Sequence, residues 1–255
     1  VSASAFIPSY EQIKLVLLND KNWSRNMNTF LHRSEDRGHV QAGWLDTRHS
    51  FSFGSWYNPK LMGFGPLRVI NDDHIAAHNG FGTHGHDNME ILTCVLSGTI
   101  SHKDSMGNAG DIKAGEWQLM SAGTGVRHSE INQYDQDVHL LQIWIMPNEQ
   151  DATPTYQQIQ LDPHDMPNEW HVIAGPNANA QMHLRQDAEV KTAVIEAGHE
   201  LTVQLSKTFN YVHVIEGEIE IAGQTVKAGD AYMFDASATL KAIHSAQVIW
   251  FDLPA

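Results

Sequence analysis

Val95-Leu96-Ser97-Gly98-Thr99-Ile100, followed by Lys113-Ala114-Gly115-Glu116, returns in the second half of the chain. There it reads Val214-Ile215-Glu216-Gly217-Glu218-Ile219, followed by Lys227-Ala228-Gly229-Asp230. Each copy reads as a strand, a glycine turn, a hairpin and a second glycine turn. The two glycines stand 17 residues apart in the first copy and 12 in the second, a difference that a longer first hairpin absorbs. One strand-and-turn unit used twice predicts two copies of one small barrel.

The sequence around these copies has the same character. From Trp44 onward, short apolar runs rich in Val, Ile and aromatics are bounded by Gly, Asn, Asp and Pro. They predict strands over 67–71, 89–96, 99–103, 116–122 and 139–146, then over 181–185, 192–196, 201–205, 211–215, 218–221, 231–234 and 247–253. Met106-Gly107-Asn108 signals a hairpin turn, and no 3.6-residue period is sustained between Trp44 and Met146. Residues 147–170, rich in Pro, Asn, Asp and Gln, read as a connection. The expected fold class is therefore all-β, with one barrel over 27–150 and a linker plus second barrel over 151–255. Residues 1–26 read as an extension outside this pattern. Tyr10–Leu18 has the spacing of a short amphipathic helix, and Met27 reads as an internal start.

Composition narrows the function. Of 255 residues, 42% are apolar and 18% charged, enough for a packed core. The apolar runs at 13–18 and 140–146 fall far short of the ~18 residues of a membrane span, and no secretory signal pattern opens the chain. A net charge of −14 argues against nucleic acid or an anionic membrane as the primary partner. The lone Cys94 excludes an internal disulfide, which points to the cytoplasm. It lies in an apolar run and reads as a packing residue.

The 16 histidines raise the prior for metal, although about one His-x-His is expected by chance at that frequency. His84-Gly85-His86 and His128-Ser129-Glu130 are i, i+2 pairs, whose side chains leave one face of an extended strand together. Two neighbouring antiparallel strands would join the pairs inside a barrel. The set is three imidazoles and one carboxylate, suited to Fe, Mn, Ni, Cu or Zn, with positions left open on a six-coordinate ion. Spacing alone leaves Glu90, four residues after His86, as an alternative carboxylate to Glu130. Phe81, three residues before His84, is expected at the substrate wall. The other histidines, among them His74, His78, His102, His139 and His213, read as surface or satisfied core groups, and Trp144 and Trp250 as core.

Gly-His-x-His-x3-Glu, then Gly-x5-Ser-x-Gly-x4-His-x3-Asn, is similar to the two cupin motifs. Gly98 stands eight rather than six residues after Glu90, and Ser121 replaces the usual Pro; both departures suit one branch. Arg37-Gly38-His39, Gly43-Trp44-Leu45-Asp46, Phe51-Ser52-Phe53-Gly54, Leu67-Arg68-Val69-Ile70-Asn71-Asp72-Asp73, Gly80-Phe81-Gly82-Thr83-His84-Gly85-His86 and Met120–Glu130 resemble the pirin family, in particular its bacterial quercetinase-like members. The resemblance runs from about Met27 to Phe251-Asp252-Leu253-Pro254.

It implies a bicupin, two antiparallel β-barrels of jelly-roll type packed together, with a metal only in the first. The family's ligands fall on His84, His86, His128 and Glu130, which leaves Glu90 beside a ligand imidazole. The implied cofactor is one divalent ion per chain, Fe(II) first, with Zn, Cu, Ni, Co and Mn as alternatives. The implied activity is a quercetinase-type dioxygenase, which opens a flavonol heterocycle with O2 and releases carbon monoxide. Glu130 or Glu90 would take the flavonol proton. The other reading the family offers is a metal- or redox-sensing module that regulates a transcription factor or metabolic enzyme. In the second repeat the positions of the ligands become Val203, Leu205, Ala242 and His244, with Phe209 in place of Glu90, so no second metal set is expected.

Overall fold

The computed structural model describes residues 29–255; the extension over 1–26 and the helix expected over Tyr10–Leu18 lie outside the described residues. Strands account for nearly all the regular structure. They are β1 (Thr29–His32), β2 (Gly38–Gln41), β3 (Leu45–His49), β4 (Leu67–Ile75), β5 (Gly80–His86), β6 (Glu90–Ser97), β7 (Thr99–Asp104), β8 (Ala109–Lys113), β9 (Glu116–Ser121), β10 (Val126–Ile131), β11 (Val138–Ile145), β12 (Thr155–Gln160), β13 (His171–Gly175), β14 (Met182–His183), β15 (Glu189–Ile195), β16 (Glu200–Val203), β17 (Phe209–Ile221), β18 (Gln224–Lys227), β19 (Ala231–Phe234) and β20 (Ala238–Leu253). No helix among the described residues is long and apolar enough to cross a membrane.

Residues 38–161 form one compact unit, and residues 29–37 together with 162–255 form another. In the first unit, a seven-stranded sheet has the order β12-β9-β6-β11-β4-β3-β2 and a four-stranded sheet the order β5-β10-β7-β8. Every pairing in both sheets is antiparallel. In the second unit, β1-β19-β17-β20-β15-β13-β14 make one sheet, with β16 on β20 and β18 on β17. β1 is anchored there by Arg33, whose guanidinium lies 2.8 Å from Asp230, and by the Ser34 N–H, which donates to the same carboxylate at 2.7 Å.

The repeated unit is real at the level of strands. β6, Gly98, β7, β8 and β9 in the first unit answer to the two halves of β17, Gly217, β18 and β19 in the second. Gly98 and Gly217 have φ of +78° and +76°, and a Cβ would stand 2.5 Å from the Asp137 carbonyl oxygen and 2.0 Å from that of Ser245. Only glycine fits either place. The first hairpin has one more cross-strand pair and a turn three residues longer, which makes up the difference in glycine spacing.

The structure departs from the sequence reading at the edges. The 147–170 connection contains β12, an edge strand on β9 whose glutamines (Gln157, Gln158, Gln160) and flanking prolines hide it. The strand expected over 181–185 shrinks to Met182–His183, and those expected over 211–215 and 218–221 are one strand bent at Gly217.

The inner face of the seven-stranded sheet is layered. Ile75, Val95, Val138 and Leu140 pack with Ile100 and Ile112 of the facing sheet, and Val69, Ile91, Met120 and Trp144 pack with Val126. Between these apolar layers runs a row of cross-strand partners that is entirely polar: His49, Asn71, Gln142, Thr93 and Gln118. All five are buried. In the second unit Val203, Val212, Val214, Ala242, Val248 and Trp250 pack in one apolar cluster.

Candidate metal centre

β5 carries His84 and His86, and β10 carries His128 and Glu130. The strands are antiparallel neighbours with His128 directly opposite His84, and the register shifts between His128 and Glu130. That bulge sets Glu130 opposite Phe81 and re-aims its side chain, a common use of bulges beside functional sites. β5 has little intrinsic strand preference, since three of its seven residues are glycine. Its pairing with β10 holds it extended.

The imidazoles converge. Ring centroids of His84 and His128 lie 4.4 Å apart, those of His84 and His86 4.8 Å, and those of His86 and His128 4.9 Å. Nε2 of His86 lies 3.0 Å from Nε2 of His128. Two nitrogens about 2.1 Å from one six-coordinate ion, at right angles, stand ~3.0 Å apart, so this edge already has the spacing of adjacent octahedral ligands. His84 Nδ1–H donates to the Gly82 carbonyl at 2.8 Å, which leaves Nε2 with its lone pair for an ion. His128 Nδ1 is buried without a hydrogen-bond partner. An imidazole left half-satisfied in this way is better explained by a demand on its other nitrogen than by packing.

The electrostatics suit the same use. Burial, then the His128 and His84 rings, push the His86 pKa down to about 3. Burial, then the His84 and His102 rings, push that of His128 down to about 3 as well. Both are neutral at physiological pH, as ligands must be.

Glu130 is held from the polar row of the facing sheet. The Gln142 amide donates to both its oxygens, at 3.2 and 3.0 Å, and the Thr93 hydroxyl lies 3.4 Å from Oε1 and 3.2 Å from Gln142 Oε1. Behind His128 lies His102, fully buried. Its Nε2–H donates to Asp104 at 3.1 Å, and its Nδ1 accepts from Gln118 at 3.2 Å. Groups whose donor atoms lie within 4.8 Å of one another include His84, His86 and His128, and also His102, His128 and Glu130. His102 is the satisfied core histidine that the sequence suggests, whereas Gln142, Thr93 and Gln118 were missed. The signal was there: Gln142 interrupts the inward alternation Val138, Leu140, Trp144, and Thr93 that of Ile91 and Val95.

Glu90 begins β6 on the face opposite Ile91 and Thr93, is 1% exposed, and accepts from the Ser121 hydroxyl at 2.8 Å. Phe81 lines the cleft, edge-on to Trp44 at 5.3 Å and 6.5 Å from the His84 ring. The cleft has a volume of about 310 Å³ and opens on His84, His86 and Glu130. Phe53, Phe81 and Trp144 form aromatic walls, and Trp144 meets the His86 ring edge-on at 4.9 Å. A concave, mostly apolar space with a few convergent polar groups is the usual form of a small-molecule site. In the second unit, Val203 and Ala242 are core residues and His244 is exposed.

The chain is similar to known proteins along most of its length. The Pirin family model matches residues 31–145, and a model described as the quercetinase C-terminal cupin domain matches residues 172–253. The quercetin 2,3-dioxygenase of Escherichia coli (strain K12) is 41% identical over 229 residues, covering 88% of this chain and 98% of the relative. A pirin-like protein of Caulobacter vibrioides is 36% identical over 221 residues, 84% and 95% of the two chains. The crystal structure of the bacterial pirin YhhW of Escherichia coli in complex with nickel(II) superposes with a TM-score of 0.84 at 39% identity, covering 89% of this chain and 99% of that one.

Proposed function

The chain belongs to the pirin family, and from that premise we propose that it is a metal-dependent dioxygenase of the quercetinase type. The observation that carries the proposal is the convergence of three imidazoles at an open apolar cleft. His84, His86, His128 and Glu130 would hold one divalent ion. Fe(II) is the ion expected, and the same donors accept Ni, Cu, Co, Mn or Zn. When bound, the ion supplies Lewis acidity toward a flavonol oxygen and an open position for O2.

The chain supplies the rest. Phe53, Phe81 and Trp144 sandwich a flat aromatic and exclude water. Glu130 accepts the proton of the flavonol 3-hydroxyl, held in place by the Gln142 amide. The oxygenated heterocycle then opens and carbon monoxide leaves. A regulatory module would be served by a closed site, and the cleft supports the enzyme reading instead. The test is metal analysis of anaerobically purified protein, followed by O2 uptake and carbon monoxide release with quercetin. Metal-loaded protein that consumes no O2 with quercetin would refute the activity.

A further inference from the structure

The strands that carry Gln142 and Asn71 into the cleft present a different cluster on their other face. We propose that Asp72, His74 and His139 form a second, exchangeable site for a borderline divalent transition ion such as Zn(II), Ni(II) or Cu(II). β4 and β11 are antiparallel neighbours, and His74 is the direct partner of His139. Asp72, two residues before His74, leaves the same face of β4. Alternation turns Asn71, Asp73 and Gln142 to the cleft, so the cluster lies on the opposite side of the sheet from the buried centre.

His139 Nε2 stands 2.6 Å from Asp72 Oδ1. The His74 and His139 rings stack at 3.9 Å, 15° from parallel, and one donor atom from each of the three residues lies within 4.8 Å of the others. His139 Nε2–H donates to Asp72 Oδ1, and an ion would take the place of that proton between the two atoms. Stacked rings direct their lone pairs side by side, so one must rotate to share an ion. His74 is exposed and can turn about its side-chain bonds without disturbing packed atoms.

Charge around the cluster favours a cation on balance. Asp46 lies opposite His74 on β3, and the His39 ring nitrogen is 2.7 Å from its carboxylate. Arg48, opposite Asp72, opposes a cation and makes this site weaker than the buried one. Two imidazoles and a carboxylate select borderline ions over Mg or Ca, which take oxygen ligands.

The experiment is equilibrium dialysis of Zn(II) against protein whose buried centre is already metal-loaded. Wild type is expected to take up one further equivalent. His74→Ala and His139→Ala should each lose that equivalent and keep the buried ion, while His199→Ala, an exposed imidazole elsewhere, should behave as wild type. His74 is exposed, so its variant tests binding without disturbing the core. No further equivalent in wild type, or its survival in His74→Ala, would overturn the proposal.

Discussion

Replacing Gln142 by Met is the sharpest test of how the centre is built. Met keeps the length and nearly the volume of Gln, so the layer between Leu140 and Trp144 stays filled. What disappears is the amide that donates to both Glu130 oxygens at 3.2 and 3.0 Å. Glu130 is 3% exposed, and from the facing sheet it keeps the longer Thr93 contact at 3.4 Å. A hydrogen bond to a charged group contributes roughly 1.5–3 kcal/mol. We expect metal-free Gln142→Met to lose about 2 kcal/mol of stability, a fall in Tm of several degrees.

The effect on the holoprotein differs in kind. A group that orients a ligand commonly contributes about 10–100-fold in metal affinity or activity. Gln142→Met should therefore bind Ni(II) or Fe(II) some 10- to 100-fold more weakly by competition with a chelator, and turn over quercetin more slowly at saturating metal. Gln142→Glu, which sets a second carboxylate against Glu130, should be worse on both counts. Wild-type affinity and wild-type turnover in Gln142→Met would show that the facing sheet does not position Glu130.

Three further outcomes follow from single residues. His128→Ala should lose the tightly bound ion and quercetin turnover, whereas His244→Ala, exposed in the second unit, should keep both; elemental analysis and O2 uptake read this directly. Glu130→Gln should change the spectrum of Co(II)-substituted protein and greatly reduce turnover, while Glu90→Gln, whose carboxylate meets Ser121, should leave the spectrum intact; the reverse pattern would exchange their roles. His32 is 1% exposed, and burial, then Arg37, lower its pKa from 6.5 to about 4. Between those values the unfolded chain binds a proton that the folded chain does not, so stability should fall as pH drops from 6.5 to 4, by up to about 3 kcal/mol. Denaturant melts of His32→Leu should show a shallower fall over that range.

The sequence made the two-copy plan legible because it is written in backbone constraints. Gly98 and Gly217 stand where a carbonyl oxygen blocks any Cβ, and strands such as β6 and β11 are nearly continuous runs of buried apolar residues. β12 was illegible for the opposite reason: as an edge strand it needs one pairing partner and little burial, so its glutamines and flanking prolines read as linker. β5 was legible as chemistry but not as a strand, because its glycines have no β preference and its conformation is imposed by β10.

The histidine pairs were found because i, i+2 spacing is local. Their support was missed because it comes from the other sheet. Gln142 reaches Glu130 from twelve residues away and Thr93 from thirty-seven; each breaks an apolar alternation, but the break does not say which group it meets. The second unit shows why both halves matter. It repeats the strand and glycine plan, yet Val203 and Ala242, at the positions that answer to the histidine ligands, pack in an apolar cluster. Introducing imidazoles there would bury polar groups among apolar side chains, at a cost of a few kcal/mol each where they find no partner. Residues 38–161 carry two coordinated departures from apolar alternation, one on each facing sheet, and metal binding is expected to require both.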